Sequence, residues 1–159
     1  MAYATAQDMI QRFGEPELAE LSPDDDGTLN PVRIETALSD AAAFVDGYVG
    51  QVYRLPLRGC AKPSTGGGVE YVAPPQLVRL SCDLARFYLY DDLAPENEVA
   101  RRYKAALVEL DSIAAGKTQL ACPWGGEPGD LVASTAQTGD RVQYCFSPRQ
   151  ITDDVMREF

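Results

Sequence analysis

Apolar residues recur at three- and four-residue steps through most of this chain, a spacing that predicts helices. Ile34, Ala37, Leu38, Ala41, Val45, Tyr48, Val49 and Val52 trace one face of a long helix opened by Asn30-Pro31. Asn can accept hydrogen bonds from the free amides of the first turn, and Pro suits the first helical position. The small residues Ala41 to Ala43 let a second helix approach closely. Pro74-Pro75 opens another long helix, to about Asp91, with Leu77, Leu80, Leu84, Phe87 and Tyr88 as its apolar stripe. Pro95-Glu96 opens a third, from Glu96 to Ala115, with Val99, Tyr103, Ala106, Leu107, Leu110, Ile113 and Ala114 inward and Gly116-Lys117 as its stop.

Two short helices precede these. Thr5 caps the first and Asp8 favours its positive end, with Met9, Ile10 and Phe13 apolar and Gly14 as the stop. The second runs from Pro16 to Leu21. Leu55-Pro56-Leu57 ends the long Asn30-Pro31 helix near Val52, because Pro disfavours a helical residue before it. Residues 58–73 then form an excursion whose centre, Ser64-Thr65-Gly66-Gly67-Gly68, reads as a flexible tip. Val69-Glu70-Tyr71-Val72 reads as a short strand or hairpin arm.

The fold class expected is therefore mainly α. Residues 1–117 form a compact bundle of three long helices plus the short N-terminal pair, interrupted by the Gly-rich excursion. Beyond Gly116 the texture changes. Cys122-Pro123-Trp124-Gly125-Gly126-Glu127-Pro128-Gly129 cannot be regular, and Val142 to Phe146 can extend as a strand. Residues 118–159 are expected as an irregular, partly extended C-terminal arm. Its end, from Gln150 to Phe159, is amphipathic at helical spacing, with Ile151, Val155, Met156 and Phe159 on one side and Thr152 as cap. A helix this short is marginal alone, so the segment must dock on its own bundle or on a neighbour.

The charge narrows the partners. The 159 residues carry 24 acidic and 14 basic side chains, a formal net charge of −10. Such a surface repels phosphate backbones and anionic lipid, so specific nucleic-acid or membrane binding is not expected. An acidic surface can, however, line a passage through which DNA slides without sticking. The most basic stretch is Arg101, Arg102 and Lys104, open to two readings: a solvated face paired with Glu96, Glu98 or Glu109, or a contact with an acidic neighbouring subunit. No run approaches the ~20 apolar residues that span a bilayer. Met1 to Phe13 lacks a basic start followed by an apolar run, so no secretory signal is expected.

Catalytic and cofactor chemistry find no foothold. Histidine is absent, which removes Ser-His and Cys-His nucleophile pairs. Cys60, Cys82, Cys122 and Cys145 are scattered, without zinc-site spacing, and read as free thiols, Cys82 on a buried helix face. Asp24-Asp25-Asp26-Gly27 suggests calcium, but an EF-hand register puts the first ligand on Leu21 or Ser22 and the last near Arg33, so a turn is the better reading. The glycine run at 66–68 lacks the Lys-Ser/Thr pair of a phosphate loop. Asp91-Asp92 and Asp153-Asp154 sit near element ends and not in a cleft. An enzyme is not expected, nor any metal or cofactor.

Several stretches in order carry a family resemblance: Tyr3-Ala4-Thr5-Ala6-Gln7-Asp8-Met9-Ile10-Gln11-Arg12-Phe13-Gly14, the acidic loop at 24–27, and Phe44-Val45-Asp46-Gly47-Tyr48-Val49. Tyr53-Arg54-Leu55-Pro56-Leu57, residues 77–89 and Arg102-Tyr103-Lys104-Ala105-Ala106-Leu107 continue it. Over residues 1–116 the chain resembles a family of Mu-like phages and prophages, long catalogued only as a domain of unknown function. That family in turn resembles the helical head-tail connectors of long-tailed phages. The resemblance implies a virion neck protein, made in the host cytoplasm and assembled as a ring, typically of twelve copies, beneath the portal. Its partners would be further copies of itself, the portal protein and a tail-side neck or tail-terminator protein, with DNA crossing the lumen unbound. The resemblance also implies that the C-terminal segment docks on the portal or an adjacent copy, with Phe159 as an apolar and Arg149 as a charged anchor. The excursion around Ser64 to Gly68 is longer than is usual between the two helices it joins. The alternative is a prophage-encoded regulatory or scaffolding interaction module, monomeric or dimeric.

Overall fold

A computed structural model describes residues 2–24, 26–90 and 97–132. The protein is mainly helical: α1 (Ala6–Phe13), α2 (Glu15–Leu21), α3 (Pro31–Val49), a two-stranded antiparallel sheet of β1 (Cys60–Pro63) and β2 (Val69–Val72), α4 (Pro75–Leu89) and α5 (Glu98–Ala114). The carboxylate pair Asp91-Asp92 near the expected end of one helix, the expected helix starts at Pro95-Glu96 and Asp153-Asp154, the strand at Val142 to Phe146 and the segment from Arg149 to Phe159 lie outside the described residues, as does Asp25 of the acidic loop.

Local chemistry sets the boundaries. Thr5 and Asp8 close a reciprocal capping box: the Asp8 amide donates to Thr5 Oγ1 at 3.3 Å and the Thr5 amide to Asp8 Oδ2 at 2.8 Å. Asn30 Oδ1 accepts from the amides of Val32 and Arg33, and Pro31 follows at the first helical position. α5 begins two residues after Glu96 because Asn97 takes the cap, its Oδ1 accepting from the Val99 amide at 2.9 Å. The acidic loop is a turn: the Gly27 amide donates to the Asp24 carbonyl, and Gly27 holds a φ of 71°, open to glycine at little cost.

α4 is the centre of the packing. It contacts α1, α3 and α5, and Leu77, Leu80, Leu84, Ala85 and Leu89 are all buried. Burial extends past the apolar stripe to Ser81, Cys82 and Asp83, as it must for a helix covered on several sides. α3 faces it with Ile34, Leu38, Ala41, Val45 and Val49, and α5 with Ala106, Leu110 and Ile113. The small Ala37, Ala41 and Ala42 bring the α3 backbone close. Arg86 ties the N-terminal helices to α4, stacking over the Phe13 ring at 4.5 Å and pairing with Glu17 at 2.5 Å. The Tyr3 hydroxyl donates to Asp46, and burial with that carboxylate beside it pushes the phenol well above its usual range.

The segment after α5 lies against the stretch between α3 and β1. The Arg54, Gly59 and Val132 amides donate to the carbonyls of Asp130, Pro128 and Val52, and the Leu120 amide to the buried Tyr53 hydroxyl at 3.1 Å. This closure corrects the expectation of free thiols: Cys60 and Cys122 form a disulfide, with Cα atoms 5.3 Å apart. Spacing along the chain carried no sign of it, because the two residues meet only through the fold. Cys82 is the free thiol among the described cysteines, and burial pushes it up to about 12, which keeps it protonated.

Candidate functional site

Three surface features stand out among the described residues. The first is an open cleft of about 390 Å³ lined by Arg12 and Phe13 of α1, Arg79 and Asp83 of α4, and Arg102 of α5. Arg79 sends its closest contact to Glu109 at 2.5 Å, and Gln76 adds a hydrogen bond to the same carboxylate at 2.6 Å. Burial pushes Glu109 up, but these bonds outweigh it and its pKa falls below the ordinary value. Arg102 likewise spends its hydrogen bond on Glu98 at 2.9 Å. Asp83 therefore faces both guanidiniums only at 3.7 and 3.8 Å, too far for a hydrogen bond. Burial pushes its carboxyl up, and the nearby Arg102, Arg79, Arg12 and Arg86 do not fully offset it.

The sign of the pH effect follows. A carboxyl raised in the folded state contributes stability below its unfolded value and loses it as pH rises through the folded one. Against Asp83→Asn, which does not titrate, the wild-type protein is expected to gain relative stability as pH falls from neutral into the ordinary aspartate range. Urea unfolding at a series of pH values measures the difference. A difference that is flat, or that grows with pH, would mean the arginines dominate.

The second feature is the outer face of α5. Arg101 and Lys104 are exposed there, with Ala105 and a 69 % exposed Val108 at helical spacing. Arg102 does not join them, because successive helical residues point about 100° apart; it turns into the cleft. The sequence brought Arg101, Arg102 and Lys104 together as one patch, and the helix divides them. On the outer face of α3 the exposed positions include Val32, Glu35, Thr36, Ser39 and Asp40. Arg12, Arg79 and Asp83 were not singled out from the sequence. The signal for Asp83 was a carboxylate four residues after Arg79, inside an apolar stripe.

The third feature is the hairpin. Lys62 of β1 sits over the Trp124 ring at 5.9 Å, next to the Cys60–Cys122 disulfide, while Val69 and Tyr71 of β2 are 62 % and 56 % exposed. Among the described residues there is no group of His, Cys, Asp and Glu side chains arranged to hold a metal, and no helix is long and apolar enough to cross a membrane.

Among the described residues, the features that stand out on this small helical domain all lie on its surface. Residues 3–136 match the family described as Bacteriophage Mu, Gp36, and the chain belongs to that family. It is 32% identical over 152 residues to "Gene product J" of Escherichia phage Mu, covering 93% of this chain and 92% of that one. It is 26% identical over 120 residues to the "Mu-like prophage FluMu protein gp36" of Haemophilus influenzae, covering 74% of each. This is a phage protein of the Mu-like group, and no name among these relatives denotes an enzyme.

Proposed function

We propose that the chain is a virion structural protein, a head-tail connector that forms a ring below the portal and joins capsid to tail around a DNA passage. The observation that carries this reading is the pair of unlike exposed helical faces. α5 offers Arg101, Lys104 and Val108, and α3 offers Val32 with Glu35 and Asp40 outnumbering the neighbouring Arg33. Opposite charges flanking one apolar residue on each side suit a head-to-tail contact, in which one face of a copy meets the other face of the next. Repeated with closure, such a contact makes a ring. Membership of a Mu phage family supports a role in the phage. A formal charge of −10 suits a lumen that lets DNA pass without holding it. The role is mechanical and needs no catalytic group or cofactor. The portal and a tail-side neck protein would be the partners above and below.

Quantitative mass spectrometry of purified particles, with immunogold labelling of their necks, tests this. A connector is expected at a fixed multiple of the portal copy number and at the head-tail junction. Absence from intact particles would sink the reading and favour a regulatory or scaffolding module acting before assembly.

A further inference from the structure

The hairpin is fastened to the domain by one face. Successive strand residues point to opposite sides, so Cys60, Lys62, Glu70 and Val72 share the face that meets Cys122 and Trp124. Ala61, Pro63, Val69 and Tyr71 share the other. On that outer face Val69 and Tyr71 are the most exposed apolar side chains of the sheet.

The two edges of the sheet also differ. At the tip the Ser64 amide donates to the Gly68 carbonyl at 2.9 Å. Antiparallel pairs alternate between bonded and non-bonded, so Lys62–Glu70 and Cys60–Val72 exchange backbone hydrogen bonds. Val69 and Tyr71 then turn their N–H and C=O groups away from β1. The outer edge of β1 is blunted by Pro63, which has no N–H to offer. The outer edge of β2 is open among the described residues and carries two apolar side chains. An open edge of this kind is a template for an added strand, with backbone bonds for affinity and side chains for specificity.

We infer that this edge receives residues 142–146 of a neighbouring copy of the chain. Val142, Tyr144 and Phe146 alternate with Gln143 and Cys145, so one side of such a strand is wholly apolar and matches the Val69–Tyr71 face. In an antiparallel register Cys145 then falls opposite Glu70, with Tyr144 opposite Tyr71 and Phe146 opposite Val69, so the apolar residues pair with one another. The direction of the chain points to a neighbour. Residues 128–132 run antiparallel to 52–59, from Gly59 back to Val52, and so lead away from the hairpin. Residues 133–141 follow, with an extended reach of roughly 30 Å. Each copy would give one arm and accept one, a head-to-tail exchange that rests on the ring reading above.

Disulfide trapping between full-length chains tests this. One tagged chain carries Glu70→Cys with Cys145→Ser; a second, differently tagged, keeps Glu70 and Cys145. Glu70 and Cys145 would share a face of adjacent strands, so mild oxidation of the concentrated mixture is expected to give a mixed-tag dimer. That dimer should disappear when the second chain also carries Cys145→Ser. It should fall at least tenfold when the first chain also carries Tyr71→Lys, with far-ultraviolet circular dichroism unchanged. In a third variant that carries Glu70→Cys and keeps Cys145, a link within one chain, with no mixed dimers in the two-chain mixture, would assign the arm to its own hairpin and overturn the inference. Absence of any Cys145-dependent link would overturn it as well. The readout needs no virion, so chains that link but are missing from particles would refute the connector reading alone. Chains found in necks that never link would refute the strand exchange alone.

Discussion

Reducing the Cys60–Cys122 disulfide is expected to lower the stability of the folded chain by about 4 kcal/mol, on the chain-entropy account for a loop of this size. The two cysteines are 62 residues apart, and the loop between them contains the hairpin, α4 and α5. Opening it returns that freedom to the unfolded chain. The folded protein also loses the covalent hold on the segment that buries Leu120 against Tyr53. Urea unfolding with and without a phosphine reductant measures the change, and Cys60→Ser with Cys122→Ser should reproduce it without reductant. A loss below about 1 kcal/mol, the scale of a single net hydrogen bond, would show that the 118–132 segment is held by its backbone bonds and not by the cross-link.

Removing every residue after Pro148 is expected to leave the domain folded and to abolish its incorporation into particles. The described core is built from residues between Tyr3 and Leu120 and closes on itself. The deleted stretch carries Ile151, Val155, Met156 and Phe159 on one side at helical spacing, with Arg149 before them. Burying four such side chains is worth roughly 6–12 kcal/mol before ordering costs are subtracted. Each 1.4 kcal/mol lost weakens binding about tenfold, so loss of even a fraction of this abolishes docking. Circular dichroism and thermal unfolding report the fold, and particle composition reports incorporation. A truncated chain that unfolds would assign the segment to the core. One that folds and still yields infectious virions would end the docking proposal.

Helix positions were legible in the sequence because their signals are local. Asn30-Pro31, Thr5 with Asp8, and Pro74-Pro75 each act within a few residues of themselves: the first two form their caps where those residues stand, and α4 starts at Pro75 without a side-chain cap. Asn97 shows the resolution of such reading: a capping side chain two residues past Pro95-Glu96 moves the start of α5. The central position of α4 was not legible. Its apolar stripe, with Cys82 read as buried beside it, defines one buried face, while the burial of Ser81 and Asp83 depends on α1 and α5 arriving from other directions. The disulfide was hidden for the same reason, since it joins segments brought together by the return of the chain over Val52 to Gly59. Of the candidate surface, Arg101 and Lys104 could be read as exposed basic residues. Arg102 pairs with Glu98 one turn before it, one of the partners the sequence offered, while its place beside Asp83 depends on another helix.

The burial of α4 on several sides divides the molecule into parts that can open and a part that cannot. α1 and α2 are the peripheral part: besides the contacts of Arg86 with Glu17 and Phe13 they bury Met9 and Leu18 in the core, but they pack on α3 and α4 less extensively than those two helices pack on each other. No such partial route exists for α4, because freeing it separates every helix that touches it. Its amides can exchange with solvent only when the whole domain unfolds, whereas those of the N-terminal pair exchange through a smaller, cheaper opening. A domain built this way can open at its N-terminal helices and keep its centre.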